Sequence, residues 1–553
     1  MTNEAQKNNP VPAGLPERFW QRDDVFAPEP LVPMWRSVYM EPMSPAFTRA
    51  LDEIDCTVAR RDYRDINGWV YHSQEPYKGP DVERIPRGMR FLAEHGEAAY
   101  SRKWYEEWDA ARTAINLRLV GIDLVSLSDD DLVTHIEGVL MPHLRESFYI
   151  QVLLELVFLY SLGRLVGVCI EKLNWPGEKA LDLVSGLSRG TSEPSRRMAE
   201  LAESAAARPD VAEALRRGTT LEGLDLLDLE YAEAVRSYLK DYRCRVFHHA
   251  VDLPTLGEVP EMVLSLIRDY IEPNYDERAV TSNLERRREA SLSEARAILS
   301  GRPEADRDFF EQALASARLT YPVKDDCEYA TFEVPMALVR YALLDLGKRM
   351  THKALMEETD DVFYMEMDEL LSAFRTGRDV RALVEKRQAE RAEQRKQPGP
   401  ATYGKQTPTD FGAIPPNVRT AIAGIFWVQD QNHSHRKRQE KAERTVLEGS
   451  GASRGQYTGP ACIILDESEF HKLHVGDVLV CKITSPSWTI LFPKVGALVT
   501  DVGGVLSHPA IIAREYGVPA VVATGRATTS LRDGQVVTVD GSAGTVRIHT
   551  ANV

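Results

Sequence analysis

Between about Ala99 and Leu371 the apolar residues recur at three- and four-residue spacings, as in Leu338, Tyr341, Ala342 and Leu346. That repeat keeps one face of an α-helix turned inward, so the spacing predicts a mainly helical block. Its breaks are expected near Pro176, Pro194, Pro254, Pro260 and Pro322. The most apolar stretch, Ile150 to Ile170, is interrupted by Gln151, Glu155, Ser161, Gly163 and Arg164, which suits a buried helix better than a membrane span. The preceding residues are rich in Pro and Trp and read as irregular, with strand-like pieces such as Gly68-Trp69-Val70-Tyr71.

Beyond the helical block the pattern changes twice. Arg378 to Gln397 is charged, polar or small and predicts a solvated helix, while Pro398 to Pro416 reads as a linker or surface loop. The charged run His433 to Arg444, with Arg436, Lys437 and Arg438, reads as a hinge helix or as a docking patch for a nucleotide-bearing partner. After about Val446 short apolar runs alternate with turns: Ala461–Leu465, Asp477–Ile483, Ala497–Thr500, Ala520–Ala523 and Val536–Val539. These predict a compact α/β domain with several strands and one clear helix. The organisation expected is therefore multidomain: an irregular part over 1–98, a helical domain over 99–377, a charged helix, linker and hinge over 378–445, and the α/β domain over 446–553.

Charge and composition narrow the function. A net charge of −16 over 553 residues lacks the basic field that nucleic acid needs, but local Arg and Lys still allow small anionic substrates. Met1 to Pro16 has no apolar signal core, so a cytoplasmic location with no membrane association is expected. The six cysteines are scattered without metal spacing and read as free thiols.

The segment carrying candidate chemistry is Ala497 to Ala523, ALVTDVGGVLSHPAIIAREYGVPAVVA. It predicts strand, glycine turn, helix and strand. Gly503-Gly504 make the turn, the helix begins around His508, Pro509 fits its first turn, and Gly517 with Pro519 ends it. His508 at a helix start would hold an anion near unpaired amides and the positive helix end. Ser507 would cap the helix or hydrogen-bond a phosphate oxygen. An imidazole is partly unprotonated at neutral pH and is a competent nucleophile. From position alone, a histidine that merely caps or packs is the reading to prefer.

Thr500, Gly503-Gly504, Ser507-His508, Ala510-Ile511, Ala513-Arg514-Glu515, Gly517 and Pro519 resemble the signature of the phosphohistidine swivelling domain. That domain occurs in phosphoenolpyruvate synthase, pyruvate phosphate dikinase and rifampin phosphotransferase. Gly449, Gly459-Pro460-Ala461 and Gly476-Asp477-Val478-Leu479-Val480 are similar to its opening, and Val539-Asp540-Gly541 with Gly544-Thr545-Val546 to its closing strands. Pro509 departs from the small residue more usual there. The resemblance implies a large helical acceptor-binding domain followed by a phosphohistidine swivelling domain. It also implies a phosphoryl group carried on His508, supported by Ser507, Gly503, Gly504 and Arg514, with Mg²⁺ and ATP as cofactors.

The sequence has no phosphate-binding G-x-x-x-x-G-K-[ST] loop and no segment resembling an ATP-grasp domain, so ATP is expected on a partner subunit. The chain also stops at Val553, which leaves no room for the barrel that binds pyruvate in phosphoenolpyruvate synthase. The order of parts resembles the His-bearing subunit of phenylphosphate synthase and the 4-cresol-phosphorylating enzyme, which implies a phenolic acceptor and release of AMP and phosphate. Weaker support comes from Phe19-Trp20-Gln21-Arg22-Asp23, from Asp360-Asp361-Val362-Phe363-Tyr364 and from Tyr238 to Arg245, which look like parts of such acceptor domains. A phenol needs a general base. Candidates are His135, His143, His248, His249, Asp325 and Asp326, with Arg243, Arg245 and Arg340 to neutralise the phosphoryl group. No metal ligands are assigned to the chain. The alternatives are an antibiotic phosphotransferase component and a non-catalytic phosphocarrier.

Overall fold

The structure, a computed structural model, describes residues 9–24, 26–54, 58–76, 98–246, 250–271, 277–397, 399–405, 420, 424, 445–484, 486–505 and 507–549. The charged run from His433 to Arg444 and the residues His248, His249 and Cys56 lie outside these. The chain forms two compact units that do not follow its sequence blocks. One holds 1–156, 249–253 and 327–414, and the other 157–248, 254–326 and 415–553. The helical block is thus shared between them, where a single domain had been expected.

The first unit corrects the expectation of an irregular N-terminal part. A helical run extends from Pro33 to Glu53, with one wider π-turn at Arg36–Met40. A four-stranded antiparallel sheet follows the order β2–β3–β1–β4, with β1 Trp20–Arg22, β2 Val58–Ile66, β3 Trp69–Pro76 and β4 Thr402–Tyr403. Its hairpin turns at Asn67-Gly68, which take φ of 53° and 82°. Positive φ at both central residues matches the twist of the flanking strands, and Asn-Gly is the pair that adopts it most readily. Strand β4 falls in the stretch expected to be a loop. It is recruited because Tyr403 packs on the Trp20, Ile66, Trp69 and Tyr71 cluster. Elsewhere in this unit Phe148 stacks on Phe332 at 5.4 Å, and Tyr39 meets Phe148 edge-on at 5.8 Å. The solvated helix expected after 378 is present at Arg381–Lys396, with Val384 as its buried anchor.

The second unit begins with the C-terminal half of the helix Met141–Leu173. By length and apolar composition the continuous helical run Asp129–Leu173 is sufficient to cross a membrane, but 67% of its most apolar window is buried within the protein. That is the behaviour of a core helix. Phe158, Leu162, Leu165 and Cys169 pack against Ala295, Phe310, Leu314 and Tyr321 of the helices Glu277–Leu299 and Glu304–Thr320 and the residue following them. Local chemistry sets the helix starts: Asp228 accepts from the Tyr231 amide, Thr220 from the Gly223 amide, and Pro260 occupies the first position of Pro260–Tyr270. Pro194 does not break the chain as expected; it lies inside the helix Arg189–Ala206. Its ring costs that helix one hydrogen bond, and the long amphipathic run outweighs the loss.

The same unit ends in an eight-stranded sheet of order β5–β12–β11–β7–β8–β9–β10–β6. The strands are β5 Val446–Glu448, β6 Ser450–Ser453, β7 Gln456–Ile464, β8 Asp477–Cys481, β9 Val495–Thr500, β10 Ala520–Val522, β11 Val536–Asp540 and β12 Thr545–Ile548. β7, β8, β9 and β10 run parallel, and the flanking strands pair antiparallel. Every residue of β8 and β10 is buried, as expected of central parallel strands. Between β9 and β10 lies the helix His508–Glu515, the strand–helix–strand unit predicted from sequence.

Candidate functional site

In an open sheet of parallel strands, ligands sit beyond the carboxyl ends of the strands. His508 is placed there, one short loop after β9. The loop is folded on itself: the Ser507 amide and hydroxyl both donate to the Gly504 carbonyl, at 3.0 and 2.7 Å. Gly503 has φ of 114°, and a Cβ there would lie 2.7 Å from Ser507 Oγ, so both the conformation and the space call for glycine. The side chain of Val505 anchors the loop in the helical core beside Phe158 and Leu314.

Ser507 is the N-cap residue, but its hydroxyl is committed to Gly504 and makes no side-chain cap. Its carbonyl takes the amides of Ala510 and Ile511, each at 3.0 Å, and Pro509 has no N–H. The helix start therefore offers a phosphoryl group fewer amides than the sequence suggested. Hydroxyls stand in their place. Thr484 Oγ1 lies 3.3 Å from His508 Nδ1 and Thr489 Oγ1 lies 3.4 Å from Nε2. Both threonines are buried, so the half-buried ring is held between two fixed dipoles. Neither threonine was singled out from sequence; Thr484 just past β8 was the available signal. Replacing Thr484 or Thr489 by valine keeps the shape and removes the hydroxyl. Each variant is expected to slow phosphorylation of His508 by about tenfold, the equivalent of one lost polar contact to the reacting group, as read by quenched-flow intact mass.

The remaining sequence candidates do not converge. Arg514 is in the last turn of the same helix, where its guanidinium donates to the Ala452 carbonyl at 2.8 Å, away from the imidazole at the first turn. Asp326 accepts from Ser188 at 3.0 Å and Asp325 pairs with Lys324 at 3.4 Å. Arg243 ends the helix Leu229–Tyr242, and Arg245 lies over the Tyr242 ring. In the first unit Arg340 is buried over Phe363 and donates to the Val251 carbonyl. His135 is buried on the helix Asp129–His135, and burial lowers its pKa. His143 bonds Asn116 at 2.8 Å; burial first, then Arg112 and Arg118, brings its pKa down to about 4. These contacts lie within two different units.

A feature the sequence did not reveal is a cavity of about 780 Å³ in the first unit. Leu31, Met40 and Tyr63 give it apolar walls, and Arg36, Arg64, Arg387, Glu41, Asp65 and Glu366 also line it. Arg36 pairs with both Asp65 and Glu366. Burial raises the Glu41 carboxyl pKa, with Glu366 and Asp368 adding to the effect. Among the described residues no group of three or more His, Cys, Asp or Glu comes together to hold a metal ion.

Residues 473–544 match the family model described as PEP-utilising enzyme, mobile domain, and residues 158–325 match the rifampicin phosphotransferase fourth domain. Over these two segments the chain is similar to the PEP-utilising, rifampicin phosphotransferase family. Apart from 249–253, both matched segments lie in the second unit, one in its helical layer and the other in its sheet domain. Family relatives include the uncharacterized phosphotransferase YvkC of Bacillus subtilis, 32% identical over 58% of this chain and 36% of the relative. A rifampicin phosphotransferase of Streptomyces sviceus is 30% identical over 68% of this chain and 42% of the relative. A probable phosphoenolpyruvate synthase of Archaeoglobus fulgidus is 41% identical over 26% of this chain and 21% of the relative. The chain thus spans about two fifths or less of the length of these family members.

Proposed function

We propose that this chain is the phosphoryl-carrying and acceptor-binding component of an ATP-dependent phosphotransferase. The observation that carries the reading is His508, held between Thr484 and Thr489 beyond the ends of parallel strands, inside the segment matching the mobile domain. An imidazole nitrogen attacks the β-phosphorus of ATP, the P–O bond to AMP breaks and AMP leaves on that oxygen; water then cleaves the terminal phosphate and leaves one phosphoryl group on the imidazole. The acceptor hydroxyl oxygen then attacks phosphorus, the P–N bond breaks, and the hydroxyl proton passes to a base. Splitting the transfer in two lets nucleotide and acceptor occupy separate sites. ATP and Mg²⁺ are assigned to an ATP-grasp-type partner in this reading, which is supported by the sequence resemblance alone.

The cavity of the first unit is the acceptor site in this reading, and Glu41 is its base. The upward-shifted pKa of Glu41 makes it a stronger base than an ordinary carboxylate. Phenol or 4-cresol is one acceptor, supported by the sequence resemblance. A larger hydroxylated compound is the second, supported by relatives named rifampicin phosphotransferase and by a volume of about 780 Å³, within the range that takes drug-sized ligands. The test is to mix the chain with an ATP-grasp-type protein, Mg²⁺ and ATP, quench at alkaline pH, and map the adduct. A gain of one phosphoryl mass on the peptide containing His508 is expected. Label found only on other residues would remove the reading.

A further inference from the structure

The second unit contains another cavity, of about 320 Å³, between its helical layer and its sheet. Arg287 and Asp182 face it from the helices, and Arg454, Arg514 and Gly541 from the strands and the helix His508–Glu515. Two of the three guanidiniums are compensated: Asp182 lies 3.3 Å from Arg454 and 3.9 Å from Arg287. Arg514 is only partly so. It is only 6% exposed, one terminal nitrogen donates to the Ala452 carbonyl, and Nε and the other terminal nitrogen have no hydrogen-bond partner. The Tyr321 hydroxyl makes a polar contact with Arg514 that falls short of a well-aligned hydrogen bond, and the Glu515 carboxylate offsets part of the guanidinium charge, so two of its donors still lack a well-formed acceptor. A buried guanidinium with unsatisfied donors is costly unless something completes it.

We propose that this cavity binds a phosphate group, which completes Arg514 and bridges the helical layer to the sheet through Arg287 and Arg454. Three guanidiniums converge from two layers, and Glu178 and Asp182 leave the cavity one positive charge in excess. A tetrahedral oxyanion presents oxygens to several donors at once, which a planar carboxylate does not, and guanidinium forks match it. The site goes beyond the transfer chemistry assigned to His508. Occupancy at this joint ties the sheet domain to the helices it rests on, so phosphate holds the domain docked.

The test uses the full chain without partner or nucleotide. Melting is followed in inorganic phosphate, acetate and chloride at equal ionic strength, with AMP as a further arm. A saturable rise of about 2–5 °C in phosphate, absent in acetate and chloride, is expected. Arg454→Ala and Arg287→Ala, both at partly exposed positions, are expected to weaken it at least tenfold. A rise produced by AMP and competed by inorganic phosphate assigns the group to a nucleotide; a rise with inorganic phosphate alone assigns it to the free ion, and both support the site. No rise beyond chloride, or equal rises in the two arginine variants, overturns it. Neither result depends on phosphorylation of His508, so failure here and failure of the transfer reading are separately visible.

Discussion

His508→Ala is expected to reduce phosphoryl transfer to the acceptor by at least about 10³-fold while leaving the protein folded. The reasoning is that the nucleophile is irreplaceable in a two-step transfer, so its loss removes the route rather than weakening it. The structural cost is small. The imidazole is half-buried and makes two long contacts, 3.3 and 3.4 Å, to threonine hydroxyls. Losing them costs about 1 kcal/mol, and Ser507, Gly504 and Val505 hold the loop without the ring. His508→Gln is the companion variant, since its amide can hydrogen-bond the threonines but cannot carry phosphorus through the cycle. The measurement is product formation with partner, Mg²⁺, ATP and acceptor, alongside a melting curve. Wild-type turnover in either variant would refute the role of His508.

Much of the second unit was legible in the sequence because its signals are local. The spacing from Gly503-Gly504 through His508 to Gly517 and Pro519 dictates turn, helix and stop, and the structure places the helix at His508–Glu515. The helical layer followed from periodicity. The first unit was less legible. Its sheet joins β1 and β4 across nearly four hundred residues, with Trp20 opposite Tyr403, and no local pattern reports such a pairing. The Asn67-Gly68 dipeptide signals a hairpin, but the reading of an irregular N-terminal part passed over it. The cavity of the first unit was not legible, because Glu41, Asp65 and Glu366 come to line it only after long-range folding. The threonines flanking His508 sit on separate elements and are ordinary in type, so only the fold unites them.

Glu515→Gln is expected to raise the stability of the second unit at pH 8 relative to pH 5, by about 3 kcal/mol more than in wild type. Glu515 is buried where the helix His508–Glu515 rests on the helical layer, and its carboxylate accepts from the Gly186 amide at 2.8 Å. Burial raises its pKa to about 7; the Gly186 hydrogen bond opposes this, Asp325 adds to it, and Arg514 and Arg288 oppose it. With an unfolded value of 4.5, the folded chain binds the extra proton between pH 4.5 and 7. Folding then releases stability as pH rises through that window, and above pH 7 the cost of a buried charge is constant. Glutamine keeps an oxygen for the Gly186 amide and has no charge to bury, so the slope disappears. The neighbouring contacts, Tyr516 to Ser195 at 2.5 Å and Lys494 to Asp269 at 2.9 Å, are untouched by the change. Melting temperatures of wild type and variant at pH 5 and pH 8 give the double difference directly, expected at about 3–6 °C. Parallel pH profiles for the two proteins would show that Glu515 is ionised at little cost in the folded state, and that this joint is insensitive to pH.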